Sequence, residues 1–361
     1  MRTSIYISES NDPYFNLALE ELLTESVGSA ESGEAILYLW QNADTVVIGK
    51  SQNAWNECRT EVLKEDGGTL ARRTSGGGAV FHDLGNLCYS FITTRGKYDL
   101  QRQLKVILEA VNAFGIDAIF SGRNDIVTAD GRKFSGNAFR FTKEAALMHG
   151  TLLVNADFSK LQNYLKVSPA KIAAKGISSV RSRVVNLASL SSSINIGSLK
   201  KELIDAFIKE YGAPENGPVT VEPVISRIED GGINLPYVTV SDRVPGRERF
   251  YDKYLKFSSW DWNYGQTLPF GVNIEKKFSW GLVRAGLNVS KGMITDVNID
   301  TDAMDADLGE TLSCGLKGVR LSQSDIYSAL YASVAIIKNS GAMIGDPELI
   351  VNDIAGMLLE I

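Results

Sequence analysis

Two arginines and three consecutive glycines make RRTSGGGAVFHDLGN, residues 72–86, the densest group of residues suited to binding an anion. Glycine has no Cβ, so the backbone can approach a ligand closely and several N–H groups can converge on one anion. Arg72 and Arg73 add guanidinium groups whose geometry matches phosphate or carboxylate. The segment lacks the GKS or GKT ending of a P-loop and the GxGxxG of a dinucleotide site. An anion-binding loop and a tight turn without a ligand therefore both stay open.

The two histidines of the chain lie in this segment, at His82, and in the apolar sequence ALMHGTLLVN, at His149. The apolar sequence predicts a strand. Two histidines without further ligands at suitable spacing do not make a zinc site, so no metal enzyme is indicated. For each histidine, a buried ring that hydrogen-bonds a neighbouring group is the alternative to a role in binding.

A candidate functional cation is Lys133, in GRNDIVTADGRKFSGNA, residues 122–138. The Ala-Asp-Gly step at 129–131 predicts a hairpin turn, which places Arg132 and Lys133 on the returning strand with their side chains on opposite faces. If Lys133 points into the sheet interior, its ammonium needs an anionic partner, because an unpaired buried charge is costly. An outward lysine beside a turn is the alternative.

Two stretches are unusual in charge. From residue 158 to residue 201 there is no Asp or Glu, whereas eight Lys or Arg occur. This basic stretch favours a mobile loop that closes over a polyphosphate, and a solvated basic surface is the alternative. The acidic run DVNIDTDAMDADLGE, residues 296–310, lacks the spacing of a calcium loop and is interpreted as a solvated surface.

The composition excludes several classes of protein. The chain has 361 residues, which predicts two or three domains at about 150 residues per domain. A net charge of −6 argues against a general nucleic-acid binder. The three cysteines are widely spaced and form no CxxC pair, which favours a reducing compartment. The sequence shows no signal peptide and no membrane-spanning segment, so we expect a soluble cytoplasmic protein.

The elements that must position these residues are mixed along the chain without a regular βαβ repeat, which favours an α+β sheet over a doubly wound one. NDPYFNLALEELLTES predicts a helix with Asp12 as N-cap and Pro13 at its first position. Further helices are predicted near 54–65, 101–114, 198–211, 322–338 and 346–360. Strands are predicted at EAILYLW and TVVIG and near 68–72, 87–93, 116–120 and 147–154.

After residue 211 the chain changes character. The segment 212–250 is rich in Pro, Gly and charge and predicts a connecting segment. The sequence KFSWGLVRAGLNVSKGMITDVNID alternates as a hairpin does, and with the two C-terminal helices it predicts a small α+β domain.

Five blocks of the sequence, taken together and in order, resemble the lipoate–protein ligases of bacterial type. They are RRTSGGGAVFHDLGN, GRND, DGRKFSGNA, HGTLLVNAD and AAKGISSVRSRVVNL. The resemblance covers residues 11–190 and resumes at SSWDWNYGQTLPF, residues 258–270, which is similar to the entry into that family's accessory domain. Five blocks in order are far more specific than any one of them.

The resemblance implies an α+β fold. Its catalytic domain would be like that of class II aminoacyl-tRNA synthetases and biotin ligases, with mixed β-sheets, followed by a small α+β C-terminal accessory domain. We place the catalytic lipoate- and ATP-binding domain at 1–245, a linker at 246–257 and the accessory domain at 258–361.

The implied activity has two steps: lipoate and ATP give lipoyl-adenylate and pyrophosphate, and the lipoyl group then moves to a lysine of a lipoyl domain. The implied cofactors are ATP and Mg²⁺, with lipoate as substrate and no tightly bound redox cofactor. The implied partners are the lipoyl domains of 2-oxoacid dehydrogenase acyltransferase subunits and the glycine-cleavage carrier protein, with no nucleic acid and no membrane. We expect a monomer.

Carried over residue by residue, the resemblance implies that Lys133 is the essential lysine, lying against the lipoate carboxyl and the α-phosphate. Its ammonium would offset the repulsion between these two anions and stabilise charge at the α-phosphorus. The positions implied to bind ATP or adenylate are Arg73, Gly78, Ala79, Val80, Phe81, Asn124, Asp125, Lys133, Lys175, Gly176 and Arg181, with Asp125 also a magnesium candidate. The positions implied to bind lipoate are Trp40, Arg73, Ser75, Gly76, Gly77, His82, Lys133, Ser135, Gly136 and His149.

Three other functions stay open at this point. A lipoyl or octanoyl transferase working through an acyl-cysteine would need a poised thiolate, and Cys58, Cys88 and Cys314 all lie outside the Lys133 and His149 blocks. A biotin ligase is disfavoured because the GRGRxG loop of that family is absent. A catalytically silent lipoyl-domain binder is disfavoured because Lys133, Arg73 and the basic loop are all retained.

Overall fold

The computed structural model describes residues 1–28, 33–121, 124–166, 184–230, 233–264, 271–290, 292–341 and 345–360. Lys175, Gly176 and Arg181, which are predicted to bind the nucleotide, lie outside the described residues. None of the helices in these ranges has the length and apolar character needed to cross a membrane.

Ten of the sixteen strands in the described residues lie in the first half of the chain. In chain order they are β1 (Arg2–Ser8), β2 (Glu34–Trp40), β3 (Thr45–Ile48), β4 (Thr69–Arg72), β5 (Val80–His82), β6 (Asn86–Thr94), β7 (Ala118–Ser121), β8 (Asp125–Thr128), β9 (Lys133–Phe141), β10 (Ala145–Leu153), β11 (Val219–Val221), β12 (Val224–Asp230), β13 (Ile233–Thr239), β14 (Val272–Lys277), β15 (Leu282–Ser290) and β16 (Met293–Thr301).

Helices flank these strands and dominate the C-terminal part. They are α1 (Pro13–Ser26), α2 (Ala54–Glu57), α3 (Thr60–Glu65), α4 (Leu100–Asn112), α5 (Phe158–Tyr164), α6 (Ile196–Tyr211), α7 (Phe250–Ser258), α8 (Trp260–Tyr264), α9 (Leu308–Leu316), α10 (Gln323–Asn339) and α11 (Pro347–Leu358), with short 3₁₀ turns at Arg95–Lys97, Leu187–Ser189 and Arg247–Arg249.

The main sheet has eight strands in the order β11-β1-β2-β6-β10-β9-β8-β7. β1 runs parallel to both β2 and β11, and the remaining neighbours are antiparallel. A second sheet, β4-β3-β5, carries the glycine-rich segment between β4 and β5. The mixed sheets confirm the predicted α+β class.

Both faces of the main sheet are covered, which is why every residue of β2 is buried. On one face α4 and α6 pack against a core that includes Leu37 and Tyr89. On the other face α1 and α7 pack against a core that includes Tyr38 and Cys88. Neighbouring residues of a strand point to opposite faces, so the sequence of each central strand has to be apolar throughout.

The first helix begins as predicted, with the Asp12 side chain accepting a hydrogen bond from the Tyr14 N–H. Asn16 then fixes the helix to the sheet. Its Nδ2 donates to the carbonyls of Ser10 and Gln41 at 2.9 and 2.8 Å, and its Oδ1 accepts from Ser8 Oγ at 2.6 Å and Tyr38 OH at 3.0 Å. Glu20, one helical turn later, is thereby directed toward the same face of the sheet.

The structure corrects two predictions. The single helix predicted near 54–65 is divided into α2 and α3, because Cys58 leaves the helix to form a β-bridge with Leu165. The prediction that 212–250 only connects two domains is wrong. This segment supplies β11, which pairs with β1 and buries Val219 and Val221, and the hairpin β12–β13.

The predicted small C-terminal α+β domain is confirmed: the sheet β14-β15-β16 packs against α9, α10 and α11 around a core of its own. The chain reaches this domain through α7, which packs on α1 with the rings of Phe15 and Phe250 5.0 Å apart. Lys253 and Lys256 of α7 also pair with Glu21 of α1. The predicted linker is therefore mostly a packed helix, and its exact limits, 246 and 257, stay a prediction.

We expect that Asn16→Leu lowers the free energy of unfolding by about 2–4 kcal/mol, because two carbonyls and two hydroxyls lose a buried partner. Urea denaturation followed by circular dichroism measures this. Asn352→Leu, at an exposed position of α11, is the matched control and should change stability by less than about 0.5 kcal/mol. Equal stability of the two variants would contradict the role given to Asn16.

Candidate active site

A β-bulge decides which way Lys133 faces. The ladder between β8 and β9 shifts register after Ile126 and leaves Phe134 as an extra residue. A bulge of this kind interrupts the alternation of faces along a strand. Lys133 therefore shares a face with Gly136 rather than with Ser135. Its Nζ lies 3.0 Å from the position that a Cβ on Gly136 would take.

On that face the half-buried Lys133 side chain pairs with a carboxylate. Its Nζ lies 2.7 Å from Asp125 Oδ1, and the two side chains are 35% and 38% exposed. His149 lies opposite Ala138, which follows Gly136 by two residues, so Lys133 and His149 point to the same side of the sheet. This is the side covered by α1.

Beneath this face a chain of buried hydrogen bonds runs from α1 to the glycine-rich segment. His149 Nδ1 is 2.8 Å from Glu20 Oε1, and His149 Nε2 is 2.6 Å from Ser75 Oγ. Arg73 Nε donates to Ser75 Oγ at 3.0 Å. Both ring nitrogens of His149 therefore have a buried partner, the Glu20 carboxylate at Nδ1 and the Ser75 hydroxyl at Nε2. The chain continues from Glu20 to the hydroxyl of Ser90.

Arg73 gives the glycine-rich segment its shape. Its Nη2 donates to the carbonyls of Gly76 and Gly78 at 2.7 and 2.8 Å, and its Nη1 donates to Val47 O at 3.2 Å. With these carbonyls turned to the guanidinium, the N–H groups between them point away, as an anion-binding loop requires. Gly77 has a φ of 89°, which only glycine adopts without strain. Burial lowers the pKa of Arg73 to about 10, which leaves the guanidinium charged at neutral pH.

The neighbouring Arg72 has a different role from the one its sequence context suggests. Its guanidinium donates hydrogen bonds to main-chain carbonyls, including Lys50 O, Trp262 O and Asn263 O, each at 2.8 Å. Arg72 thus ties α8 to the loop after β3. It stabilises the scaffold of the site and is not placed to meet a ligand.

His82 and Trp40 lie on the same side as His149. The rings of Trp40 and His82 are 6.0 Å apart, and Trp40 Nε1 donates to Ser90 Oγ at 3.0 Å. Asn42 Nδ2 lies 3.2 Å from His82 Nδ1, while His82 Nε2 is buried and has no hydrogen-bond partner among the described residues. Burial first, and then the charge of Arg73, lower the pKa of His82 to about 3, so the ring is neutral.

The structure places two predicted residues in other surroundings. Ser135 faces the opposite side of the sheet, where its Oγ lies 3.2 Å from Tyr89 OH. Asn124 exchanges hydrogen bonds with Asn137, its Nδ2 donating to Asn137 O at 3.1 Å, and so holds the start of β8 against β9. The predicted ligand contacts of these residues, and of Gly78 to Phe81, stay predictions.

Sequence reasoning missed Glu20, whose buried carboxylate is 2% exposed. A signal for it exists. Glu20 follows Leu17 by three residues and precedes Leu23 by three, so helical periodicity puts a carboxylate in the apolar stripe of α1. A carboxylate in such a stripe must be paired or hydrogen-bonded inside the protein.

Ser75, His149 and Glu20 have the contacts of a serine–histidine–acid triad. Ser75 is completely buried, however, and its Oγ is enclosed by Arg73 Nε, which donates to it, and by His149 Nε2. A nucleophile must be reached by the carbonyl carbon of its substrate, and a fully buried hydroxyl is not. The geometry therefore favours a role for this hydroxyl in holding the glycine-rich segment.

The interpretation of 296–310 as a solvated surface is wrong for the part that we call the strap, residues 301–307. Asp302 and Asp305 are buried, and their carboxylates accept from the N–H groups of Leu282 and Gly345 at 2.6 and 3.0 Å. Met304 is 4% exposed. The strap lies on the glycine-rich segment, so these acids fold a loop against the catalytic domain and do not face water.

In the ranges that the structure covers, no three His, Cys, Asp or Glu side chains are grouped to hold a metal ion. A magnesium ion would therefore depend on single carboxylates together with oxygens of a ligand.

Two family models match the sequence. The lipoyl protein ligase A/B catalytic domain matches residues 12–208. The bacterial lipoate protein ligase C-terminus matches residues 267–349. The two matches correspond to the main sheet with its helices and to the C-terminal domain.

Solved structures of similar shape were also found. LipL1 of P. falciparum in complex with lipoate is 29% identical, with a TM-score of 0.78, and the match covers 99% of this chain and 100% of that one. The bipartite lipoate protein ligase of Thermoplasma acidophilum, studied with its E2 lipoyl domain, is 27% identical, with a TM-score of 0.58 over 75% of this chain and 100% of that one. A lipoate-protein ligase A bound with ATP is 26% identical, with a TM-score of 0.56 over 73% and 99%. These matches confirm the predicted fold of a catalytic α+β domain with an accessory domain.

The lowered pKa of His82 predicts a pH-dependent stability. Between pH 6.5 and about 3 the unfolded chain binds a proton at this ring that the folded protein does not, so the free energy of unfolding falls as the pH falls, by about 1.4 kcal/mol per unit. Urea denaturation at pH 7.0 and 5.5 should show a decrease about 1 kcal/mol smaller in His82→Gln than in the wild type. The raised pKa of Asp300, about 6, acts in the opposite direction but equally in both proteins. Equal pH slopes would contradict a neutral buried His82.

Proposed function

This chain belongs to the family of the lipoyl protein ligase A/B catalytic domain, and on that premise we propose that it converts lipoate and ATP to lipoyl-adenylate and transfers the lipoyl group to a lysine of a lipoyl domain. It is a lipoate–protein ligase, as both family models and the ATP-bound structural neighbour support. The adenylate route and the acceptor are the parts that we propose.

The observation that carries this proposal is the ammonium of Lys133 on the same side of the sheet as the segment shaped by Arg73. Joining a carboxylate to an α-phosphate requires two anions to approach each other, and a fixed cation lowers that repulsion. A carboxylate oxygen then attacks the α-phosphorus and pyrophosphate leaves. In the second step the amine of the acceptor lysine attacks the acyl carbon and AMP leaves. Neither step needs a nucleophile from the protein.

Asp125 holds the Lys133 ammonium in place at 2.7 Å before substrates bind. Both side chains are about one third exposed, so a ligand can reach the pair. Separating the two charges costs little free energy, because a partly exposed ion pair contributes little to stability. Asp125 also fits magnesium, since Mg²⁺ uses one or two protein carboxylates together with nucleotide phosphates. When bound, the ion would neutralise phosphate charge.

We assign the lipoyl chain to the buried side of the site, near Trp40, His82 and His149. The hydrogen bonds of His149 to Glu20 and Ser75 hold the imidazole in one orientation. We therefore assign the ring to the wall of the site and not to the role of a general base. His82 Nε2 offers a buried polar atom with no partner among the described residues. A chain bound here would be held mainly by apolar contact, with few polar groups fixing its orientation.

The cysteines argue against an acyl-enzyme route. Burial raises the pKa of Cys58 to about 12, and burial together with the charge of Glu20 raises the pKa of Cys88 well above its usual value. Thiols in such surroundings are not thiolates at neutral pH and are poor nucleophiles. Cys314 is exposed but lies on α9 of the accessory domain.

Lipoyl domains are the proposed acceptors. The structural neighbour from Thermoplasma acidophilum was studied with an E2 lipoyl domain. We extend this to the acyltransferase subunits of 2-oxoacid dehydrogenases and to the glycine-cleavage carrier protein. A cytoplasmic monomer stays our expectation.

Lys133→Ala should abolish lipoate-dependent ATP–pyrophosphate exchange, with a loss of at least about 10²–10³-fold, because the two anions lose their shared cation. Lys209→Ala is the control: its ammonium pairs with Glu109 on the helices covering the opposite face of the sheet. Near-normal exchange in the Lys133 variant, with the control also active, would refute the proposed role. Mass spectrometry of a lipoyl domain incubated with enzyme, ATP, magnesium and lipoate tests the transfer step.

Gly136→Ala tests the position of the ammonium without removing it. The new Cβ would stand 3.0 Å from Lys133 Nζ and 3.3 Å from its Cε, so the flexible end of the lysine has to move. A displaced catalytic group costs about 10–10²-fold in kcat, whereas the fold should be retained. Gly356→Ala, where a Cβ meets nothing within 4 Å, is the control. Unchanged kcat in Gly136→Ala would show that the ammonium position is not critical.

A further inference from the structure

The strap of the accessory domain contacts the glycine-rich segment at the Gly77 amide, which lies between the two carbonyls that Arg73 binds. The N–H of Gly77 donates to Ala303 O at 2.7 Å. A Cβ on Gly76 would stand 2.4 Å from Met304 O and 2.5 Å from Ala303 O. The two main chains are therefore in direct contact, with no room for a ligand between them.

The side chain of Met304 extends this contact. Its Sδ lies 3.5 Å from the position that a Cβ on Gly77 would take, and the residue belongs to the main hydrophobic core of the catalytic domain. A peptide carbonyl and an apolar side chain thus lie directly against Gly76 and Gly77, which under the proposed function belong to the lipoate site. Like lipoate, the strap presents a hydrogen-bond acceptor, Ala303 O, next to an apolar group, the Met304 side chain.

A latch beside the strap holds it in place. Lys50, two residues after β3, pairs with Asp307 and with Glu310, the latter at 3.2 Å. Ser51 adds two hydrogen bonds: its Oγ donates to Ala306 O at 2.9 Å, and its carbonyl accepts from Thr301 N–H at 2.8 Å. Lys50 is 20% exposed, so its ion pairs are partly shielded from water. They are nevertheless sensitive to salt, because the two carboxylates are more exposed.

We propose that the strap is an autoinhibitory contact, in which Ala303 O competes with the anionic head of the substrate for the Gly77 amide and Lys50 holds the strap closed. The proposal rests on the proposed function for the identity of the competing ligand. Because the substrate has to displace the strap, part of its binding free energy is lost and its apparent affinity is lowered. Weakening the latch should then strengthen apparent substrate binding.

The test compares wild type, Asp307→Asn and the control Asp296→Asn. Asp296 pairs with Lys317 at 2.9 Å within the accessory domain, so both variants remove one carboxylate from an ion pair, but only Asp307 touches the latch. Lipoate-dependent ATP–pyrophosphate exchange gives KM and kcat for each protein. Asp307→Asn should lower KM for lipoate about two- to fivefold with little change in kcat, and high salt should lower KM of the wild type in the same direction. The control should behave as wild type.

Amide hydrogen exchange provides a readout that needs no turnover. Without substrates, Gly77 and residues 301–307 should exchange faster in Asp307→Asn than in Asp296→Asn, and ATP with lipoate should accelerate exchange of 301–307 in the wild type. A raised KM in Asp307→Asn, or exchange and KM equal to those of the control, would overturn the proposal. A wild type that makes no lipoate-dependent exchange of pyrophosphate would refute the proposed function instead, and strap exchange that is equal in both variants would still refute the latch.

Discussion

The buried guanidinium of Arg73 is the interaction on which the site depends. A charge at 5% exposure is tolerated only when its donors are satisfied, and Arg73 satisfies them with the carbonyls of Gly76, Gly78 and Val47 and with Ser75 Oγ. Those contacts turn the glycine carbonyls inward and so direct the intervening N–H groups outward. The shape of the anion-binding loop is therefore a consequence of satisfying a buried cation. The glycines supply the conformational freedom, but the arginine selects the conformation.

The same cation also explains the buried carboxylate on α1. Glu20 is 2% exposed and reaches Arg73 through His149 and Ser75, so the two charges offset each other across a hydrogen-bonded chain. Asn16 holds α1 to the sheet one turn earlier. A helix, a loop and a strand are thereby held in one arrangement, although Glu20 and His149 lie 129 residues apart in the sequence. This hydrogen-bonded chain lines the lipoyl end of the proposed site.

Local patterns predicted the local structure well, because helix caps, turns and alternation are decided by neighbouring residues. The cap at Asp12, the turn before Lys133 and the C-terminal hairpin are all confirmed. Features decided by distant contacts were missed. The bulge at Phe134 leaves no mark in the alternation, yet it moves Lys133 to the face of His149. Likewise, the sequence of residues 212–250 does not indicate that β11 adds an edge strand to the main sheet. A strand of three residues is too short for a pattern of its own and forms only because it pairs with β1. The buried carboxylate of Glu20 was detectable from helical periodicity, because it interrupts the apolar stripe of α1.

The acidic composition of the strap suggests an exposed surface, yet the strap is buried and supplies a hydrogen-bond acceptor that the glycine-rich segment needs. A Gly77 N–H buried without an acceptor would cost about 1–3 kcal/mol, so the free enzyme needs some group in the place of the ligand. Ala303 O supplies it. Substrate binding then exchanges one acceptor for another and leaves no amide unpaired at any stage. The substrate can win this exchange because hydrogen bonds to an ionised oxygen are roughly twice as strong as those to a neutral carbonyl. An uncharged analogue lacks that advantage, so competition with the strap itself discriminates in favour of anions.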